Sequence, residues 1–205
     1  RCGLTASVLP AITTALQHWK RLKTFKVSFN NFSDTGAHAA SQFFSVLSKL
    51  PDLQTIDFSD CQLSESTGFA LATVLSNMST LSCIDLSHNP NLGDNVFVDI
   101  LHALRQCRGM LEVSLHNCSM TAASLPAIAA ALHRWPDLTT LRVHDNDFRD
   151  VTGDQANTFI AAIKAHKKLD RLGLVRTDMY STQGSNLDDT QINEFLARIP
   201  AQLPP

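Results

Sequence analysis

The 205-residue chain predicts an α/β solenoid: a stack of repeats, each a short strand followed by a helix. The strands should form a parallel sheet on the concave side and the helices a convex wall. Three observations predict it. An apolar frame returns six times, from Leu22, Leu53, Leu81, Met110, Leu138 and Leu169, at intervals of 31, 28, 29, 28 and 31 residues. A second column, running through the frames, holds Asn30, Cys61, Asn89, Cys118, Asn146 and Thr177, and Cys2 fits it one step earlier. Within each unit the apolar period changes from two to about 3.6, the change from a strand with one buried face to an amphipathic helix.

The frame lines are Leu22, Phe25, Val27, Asn30, Phe32; Leu53, Ile56, Phe58, Cys61, Leu63; Leu81, Ile84, Leu86, Asn89, Leu92; Met110, Val113, Leu115, Cys118, Met120; and Leu138, Leu141, Val143, Asn146, Phe148. They fit L-x-x-L-x-L-x-x-(N/C)-x-L, the leucine-rich-repeat signature, with other apolar residues in place of Leu. The third line has one extra residue before Leu92. The sixth line, Leu169, Leu172, Leu174, Thr177, Met179, puts Thr in the ladder slot. Asn is expected to be buried there, donating to and accepting from the turning backbone, including that of the next repeat. Cys fits as a small buried group.

The helices follow in order. Val8, Leu9, Ile12, Leu16 and Trp19 make the first apolar face, and Phe43, Phe44, Leu47 and Leu50 the second. Leu71, Val74, Leu75 and Met78 make the third; Val96, Ile100, Leu101 and Leu104 the fourth, ending near Gly109, which suits a left-handed cap. Leu125, Ile128, Leu132 and Trp135 make the fifth, and Phe159, Ile160 and Ile163 the sixth. A final face, Ile192, Phe195, Leu196 and Ile199, follows a polar insert at 181–189. Trp19 and Trp135 end equivalent helices and are expected to be core plugs. The chain therefore reads as one domain: a partial repeat at 1–21, six repeats at 22–180 and a C-terminal cap at 181–205. Because it opens in mid-repeat at Arg1, it reads as part of a longer protein.

The alternation resembles that of ribonuclease-inhibitor-type leucine-rich repeats, in which Cys-type and Asn-type units take turns. Cys2-Gly-Leu-Thr, Cys61-Gln-Leu-Ser and Cys118-Ser-Met-Thr look like the first type. Asn30-Asn-Phe-Ser, Asn89 with Leu92-Gly93-Asp94, and Asn146-Asp-Phe-Arg look like the second. The resemblance covers about residues 1–180. It implies a horseshoe segment that works by binding another protein. The family includes ribonuclease inhibitor, the sensor ends of NOD-like receptors, the Ran GTPase-activating protein, tropomodulins and some bacterial effectors. A GTPase-activating domain, an autoinhibitory sensor that binds its own parent chain, and an actin-regulatory scaffold are therefore rival readings to a general protein-recognition module.

Composition narrows the chemistry. The net charge of −2 gives no basic footprint for nucleic acid. No run of 18 apolar residues occurs to span a membrane. Five cysteines, three of them in ladder slots, fit a reducing, cytoplasmic setting better than a disulfide framework. No Gly-rich phosphate loop, HExxH helix or paired acid and base is present, so the chain reads as non-enzymatic and free of cofactors.

That leaves the outward strand residues. Asp57, Asp60, Asp85 and Glu112 make the middle of the concave face acidic. Lys26 stands at one end; Arg142, Arg171 and Arg176 make the other end basic, beside Asp145. Phe29 is a candidate aromatic anchor. His88, His116 and His144 form a row in which the last two occupy the same strand position in adjacent repeats. The histidines read as surface polarity or a pH-sensitive contact, not a metal site, because the sequence displays no compact ligand motif and no second shell. These thirteen residues are the expected partner-binding set.

Overall fold

The computed structural model describes residues 3–174 and Ala197. Six three-residue strands form one parallel sheet in sequence order: β1 (Thr24–Lys26), β2 (Thr55–Asp57), β3 (Cys83–Asp85), β4 (Glu112–Ser114), β5 (Thr140–Arg142) and β6 (Arg171–Gly173). The helices that alternate with them are α1 (Leu9–Leu16), α2 (Ala37–Leu47), α3 (Glu65–Leu75), α4 (Gly93–Leu104), α5 (Leu125–Leu132) and α6 (Gly153–Ala165). Neighbouring strands stack at about 4.8 Å, whereas helices are about 10 Å wide. The stack therefore bends with the sheet inside, as the sequence predicts.

Local chemistry sets the helix starts. Ser64 caps α3 by accepting from Thr67 N, and Thr152 with Gln155 forms a capping box on α6. Pro10 and Pro126 sit in the first turns of α1 and α5, where a missing N–H costs nothing. Gly93, not Gly109, carries the left-handed backbone (φ +77°), so it marks the entry to α4 and no glycine cap closes that helix. At Gly68, a Cβ would lie 2.4 Å from Val96 Cγ1 and 2.6 Å from Leu92 Cδ2. The missing side chain lets α3 and α4 approach.

The core is one continuous apolar strip. It contains the predicted Leu, Ile and Val frame and, at the N-terminal end, the ring cluster Phe25, Phe43, Phe44 and Phe58 with centroids 5.0–6.0 Å apart. Asn30, Cys61, Asn89 and Cys118 are buried as expected and Asn146 is half-buried, but the ladder's bonds run backwards, to the preceding repeat. Asn89 Nδ2 donates to Phe58 O (2.8 Å), Leu86 O (2.9 Å) and Ser87 O (3.2 Å), while its Oδ1 accepts from Cys61 N (3.2 Å) and Leu63 N (3.0 Å). Asn146 repeats the arrangement with Leu115 O, Cys118 N and Met120 N. The Cys thiols reach the equivalent carbonyl, Cys61 to Val27 O (3.1 Å) and Cys118 to Leu86 O (3.3 Å). The alternation follows from this. The Cys-type turns have two left-handed residues each, Asp60 and Gln62 or Asn117 and Ser119, and the N–H groups that follow them, of Cys61 and Leu63 or Cys118 and Met120, donate to the Asn side-chain oxygen of the following unit.

A second row of polar groups, which the sequence reading missed, runs along the other edge. The row lies at the helix-to-strand bend, three residues past the end of α1, α4 and α5 and one past the end of α6. Trp135 Nε1 donates to Leu104 O (3.0 Å), Cys107 Sγ to Met78 O (3.3 Å), and His166 Nε2 to Trp135 O (2.7 Å). Each again reaches the preceding repeat. Trp19 holds the same slot but is 50 % exposed, which corrects its assignment as a core plug. Among the described residues only the short 3₁₀ turn Ala6–Val8 precedes α1, and no earlier α-helix packs in front of it. Cys2, Thr177, the insert at 181–189 and the apolar face from Ile192 to Ile199 lie outside the described residues.

Candidate functional site: the concave strand face

Strand register lays the outward residues in rows across the sheet. Thr24, Thr55, Cys83, Glu112, Thr140 and Arg171 are mutual neighbours in one row; Lys26, Asp57, Asp85, Ser114, Arg142 and Gly173 in the next. The second row thus runs cation, two anions, hydroxyl, cation. Sequence spacing alone puts these residues in the right columns. The register makes Lys26 and Asp57, and Asp57 and Asp85, immediate neighbours.

Two of the acidic residues also hold the backbone. Asp57 Oδ1 accepts from Ser59 N (3.0 Å) and Ser59 Oγ (2.7 Å); Asp85 Oδ1 accepts from Ser87 N (2.9 Å) and Ser87 Oγ (2.5 Å). The serine that follows each strand is thereby tied down and buried. The face is narrower than the outward-pointing pattern predicts, because Ser59, Ser87, Ser114 and Thr140 are all buried. Of the charged side chains in these two rows, Lys26, Glu112 and Arg171 are exposed, and Asp57, Asp85 and Arg142 are half-buried.

Beyond the strands lies a rim of left-handed residues: Phe29 (φ 60°), Asp60 (49°), His88 (59°), Asn117 (51°) and Asp145 (57°). Asp, Asn and His tolerate this backbone; a bulky aromatic residue rarely adopts it. Phe29 is 48 % exposed there, and with Asn30 and Asp60 it borders an open pocket of about 370 Å³ also lined by Gly3, Leu4, Thr5 and Gln62.

The three histidines come together. The His116 and His144 rings stack at 4.5 Å and 26°, and His88 meets His116 edge-on at 4.8 Å. His116 Nε2 lies 3.1 Å from His88 Nε2, Ser114 Oγ lies 3.0 Å from His116 Nδ1, and Asn117 Nδ2 lies 2.8 Å from His88 Nδ1. His144 Nδ1 faces Asp145 Oδ2 at 3.1 Å. With Asn117 donating, His88 carries its proton on Nε2 and passes a hydrogen bond to His116, whose own proton then faces Ser114. Burial, then the His144, His88 and Arg142 charges, push the His116 imidazole down to about 4, partly offset by Asp145. The sequence places Ser114 and Asn117 on this face but does not reveal them as partners of His116 and His88. Their signal was local: one lies two residues before His116, the other one residue after it.

The buried cysteines Cys61, Cys107 and Cys118 are structural. Burial pushes the Cys61 and Cys118 thiols up to about 12 and Cys107 to about 11. Arg176 lies outside the described residues. Among the described residues no helix is long and apolar enough to cross a membrane, and no group of three or more His, Cys, Asp or Glu is placed to hold a metal ion.

No protein-family model matches the chain. It is 31% identical over 147 residues to the ribonuclease inhibitor of Sus scrofa, an alignment that covers 71% of this chain and 32% of that protein. It is 28% identical over 181 residues to the NACHT, LRR and PYD domains-containing protein 3 of Bos taurus, covering 87% of this chain and 17% of that protein. The chain thus spans about a third of the length of the ribonuclease inhibitor it matches. Among solved structures it resembles leiomodin-1 actin-binding site 2, with a TM-score of 0.49, 14% identity, and coverage of 93% of this chain and 88% of that one. The two backward-reaching ladders, the Cys–Asn alternation and the match to the Sus scrofa ribonuclease inhibitor agree: the chain is built of ribonuclease-inhibitor-like leucine-rich repeats.

Proposed function

We propose that this chain is a protein-recognition module that binds its partner on the concave strand face and has no catalytic role of its own. The observation that carries the reading is the cross-strand row from Lys26 through Asp57 and Asp85 to Arg142, with Glu112 and Arg171 in the adjoining row. Charges of both signs, fixed on rigid strands at one-strand spacing, orient a partner of opposite pattern and disfavour others. Phe29 and the histidine row would supply less polar contacts at the two flanks. The charges of Asp60, Asp145 and Arg176 extend the same surface along its rim. The thiols buried along the ladder suit a reducing compartment, and we place the protein in the cytoplasm on that ground.

The test must remove charge without removing hydrogen-bond acceptors. Asp57→Asn with Asp85→Asn keeps an oxygen for Ser59 and Ser87, whereas Lys at either position would unfasten the turn. A ribonuclease is the first partner to try, given the name of the Sus scrofa relative. Saturable binding that weakens at least tenfold in the double Asn variant, with an unchanged melting temperature, supports the concave reading. Binding that the double variant leaves intact argues against it.

A further inference from the structure

The His88–His116 pair has a feature that protein recognition does not need. The two Nε2 atoms point at one another across adjacent repeats, 3.1 Å apart. Two imidazole nitrogens on a tetrahedral Zn²⁺, each about 2.05 Å from the ion, stand about 3.3 Å apart. The pair is therefore spaced for a shared ion to within a few tenths of an ångström, with no strand movement.

The other nitrogen of each ring is also held. A ligating histidine usually donates its second N–H to a nearby acceptor, which fixes the ring and raises its basicity. His116 Nδ1 already faces Ser114 Oγ at 3.0 Å, and Ser114 is buried. His88 Nδ1 meets the Asn117 side-chain amide at 2.8 Å, and rotation of that amide presents Oδ1 as the acceptor. The second shell that the sequence does not display is thus present in the fold. Around the pair stand His144, stacked on His116 and engaged by Asp145, and Arg142, which adds positive charge.

We propose that His88 and His116 form a two-imidazole chelate for a borderline divalent ion such as Zn²⁺ or Cu²⁺. The ion takes both Nε2 lone pairs, the His88 proton moves from Nε2 to Nδ1, and no proton is released from the pair. With no third protein ligand gathered among the described residues, the remaining coordination positions are open to water or to a partner's side chain. The site is therefore open rather than structural.

The experiment is titration of the tag-free chain with Zn²⁺ at pH 7.5, followed by calorimetry, with Cu²⁺ and electron paramagnetic resonance as a second readout. One ion per chain is expected, with two equivalent imidazole nitrogens coupled to the copper. His88→Gln and His116→Gln should each weaken uptake at least tenfold, and His133→Gln, on the helical side, should leave it unchanged. His88 is exposed, so its variant serves even where the His116 variant unfolds. Absence of saturable uptake by the parent chain overturns the proposal. So does uptake that survives either substitution with less than a tenfold loss.

Discussion

Asn89 shows what a ladder residue does for this fold. It is fully buried, and its amide closes five hydrogen bonds, three of them to the preceding repeat. Replacing it with Ala leaves Cys61 N, Leu63 N and Phe58 O buried and unpaired, each a loss of about 1–3 kcal/mol if unrelieved. Asn89→Ala should therefore lower the urea unfolding free energy by about 3 kcal/mol. A loss below about 1 kcal/mol would show that the ladder does not bear the stacking. His116 makes a different prediction at this scale. Its folded value near 4 lies below the ordinary 6.5, so the folded chain binds fewer protons than the unfolded one. Its contribution is complete above about pH 6.5 and is lost as pH falls through 4. The urea midpoint should drop between pH 7 and 4, and less steeply in His116→Gln.

Among the elements, the bend after each helix is the part that the amino-acid pattern conceals. Trp135 and Trp19 hold the same apolar slot and read alike. Only stacking separates them: Trp135 is covered and bonded to Leu104 O, and Trp19 is half exposed. Trp135→Phe should cost about 2–3 kcal/mol, from lost packing and an unpaired carbonyl, while Trp19→Phe should stay within about 0.5 kcal/mol. Thermal unfolding of the two variants side by side measures the difference. Strand columns, helix faces and ladder slots were all legible, because each follows a fixed period. What spacing cannot convey is direction and reach. It does not tell that Asn89 bonds backwards, that Asp85 spends an oxygen on Ser87, or that His88 leans from the rim onto His116.

For the whole molecule, the division of labour is between two buried ladders, which join the repeats, and one open face between them. The ladders account for the stack without drawing on Lys26, Glu112, Arg142 or Arg171, whose charges are left to meet a partner. The curved sheet presents them at fixed spacing, so recognition should survive changes on the helical wall and fail with changes on the strands. The most direct measurement compares two folded variants in quantitative affinity capture. One carries Asp57→Asn, Asp85→Asn and Arg142→Gln on the concave face; the other carries Glu65→Gln and Arg108→Gln away from it. The account predicts that the proteins held by the parent chain are kept by the second variant and lost from the first. Equal retention by both variants, or selective loss from the second, would contradict it.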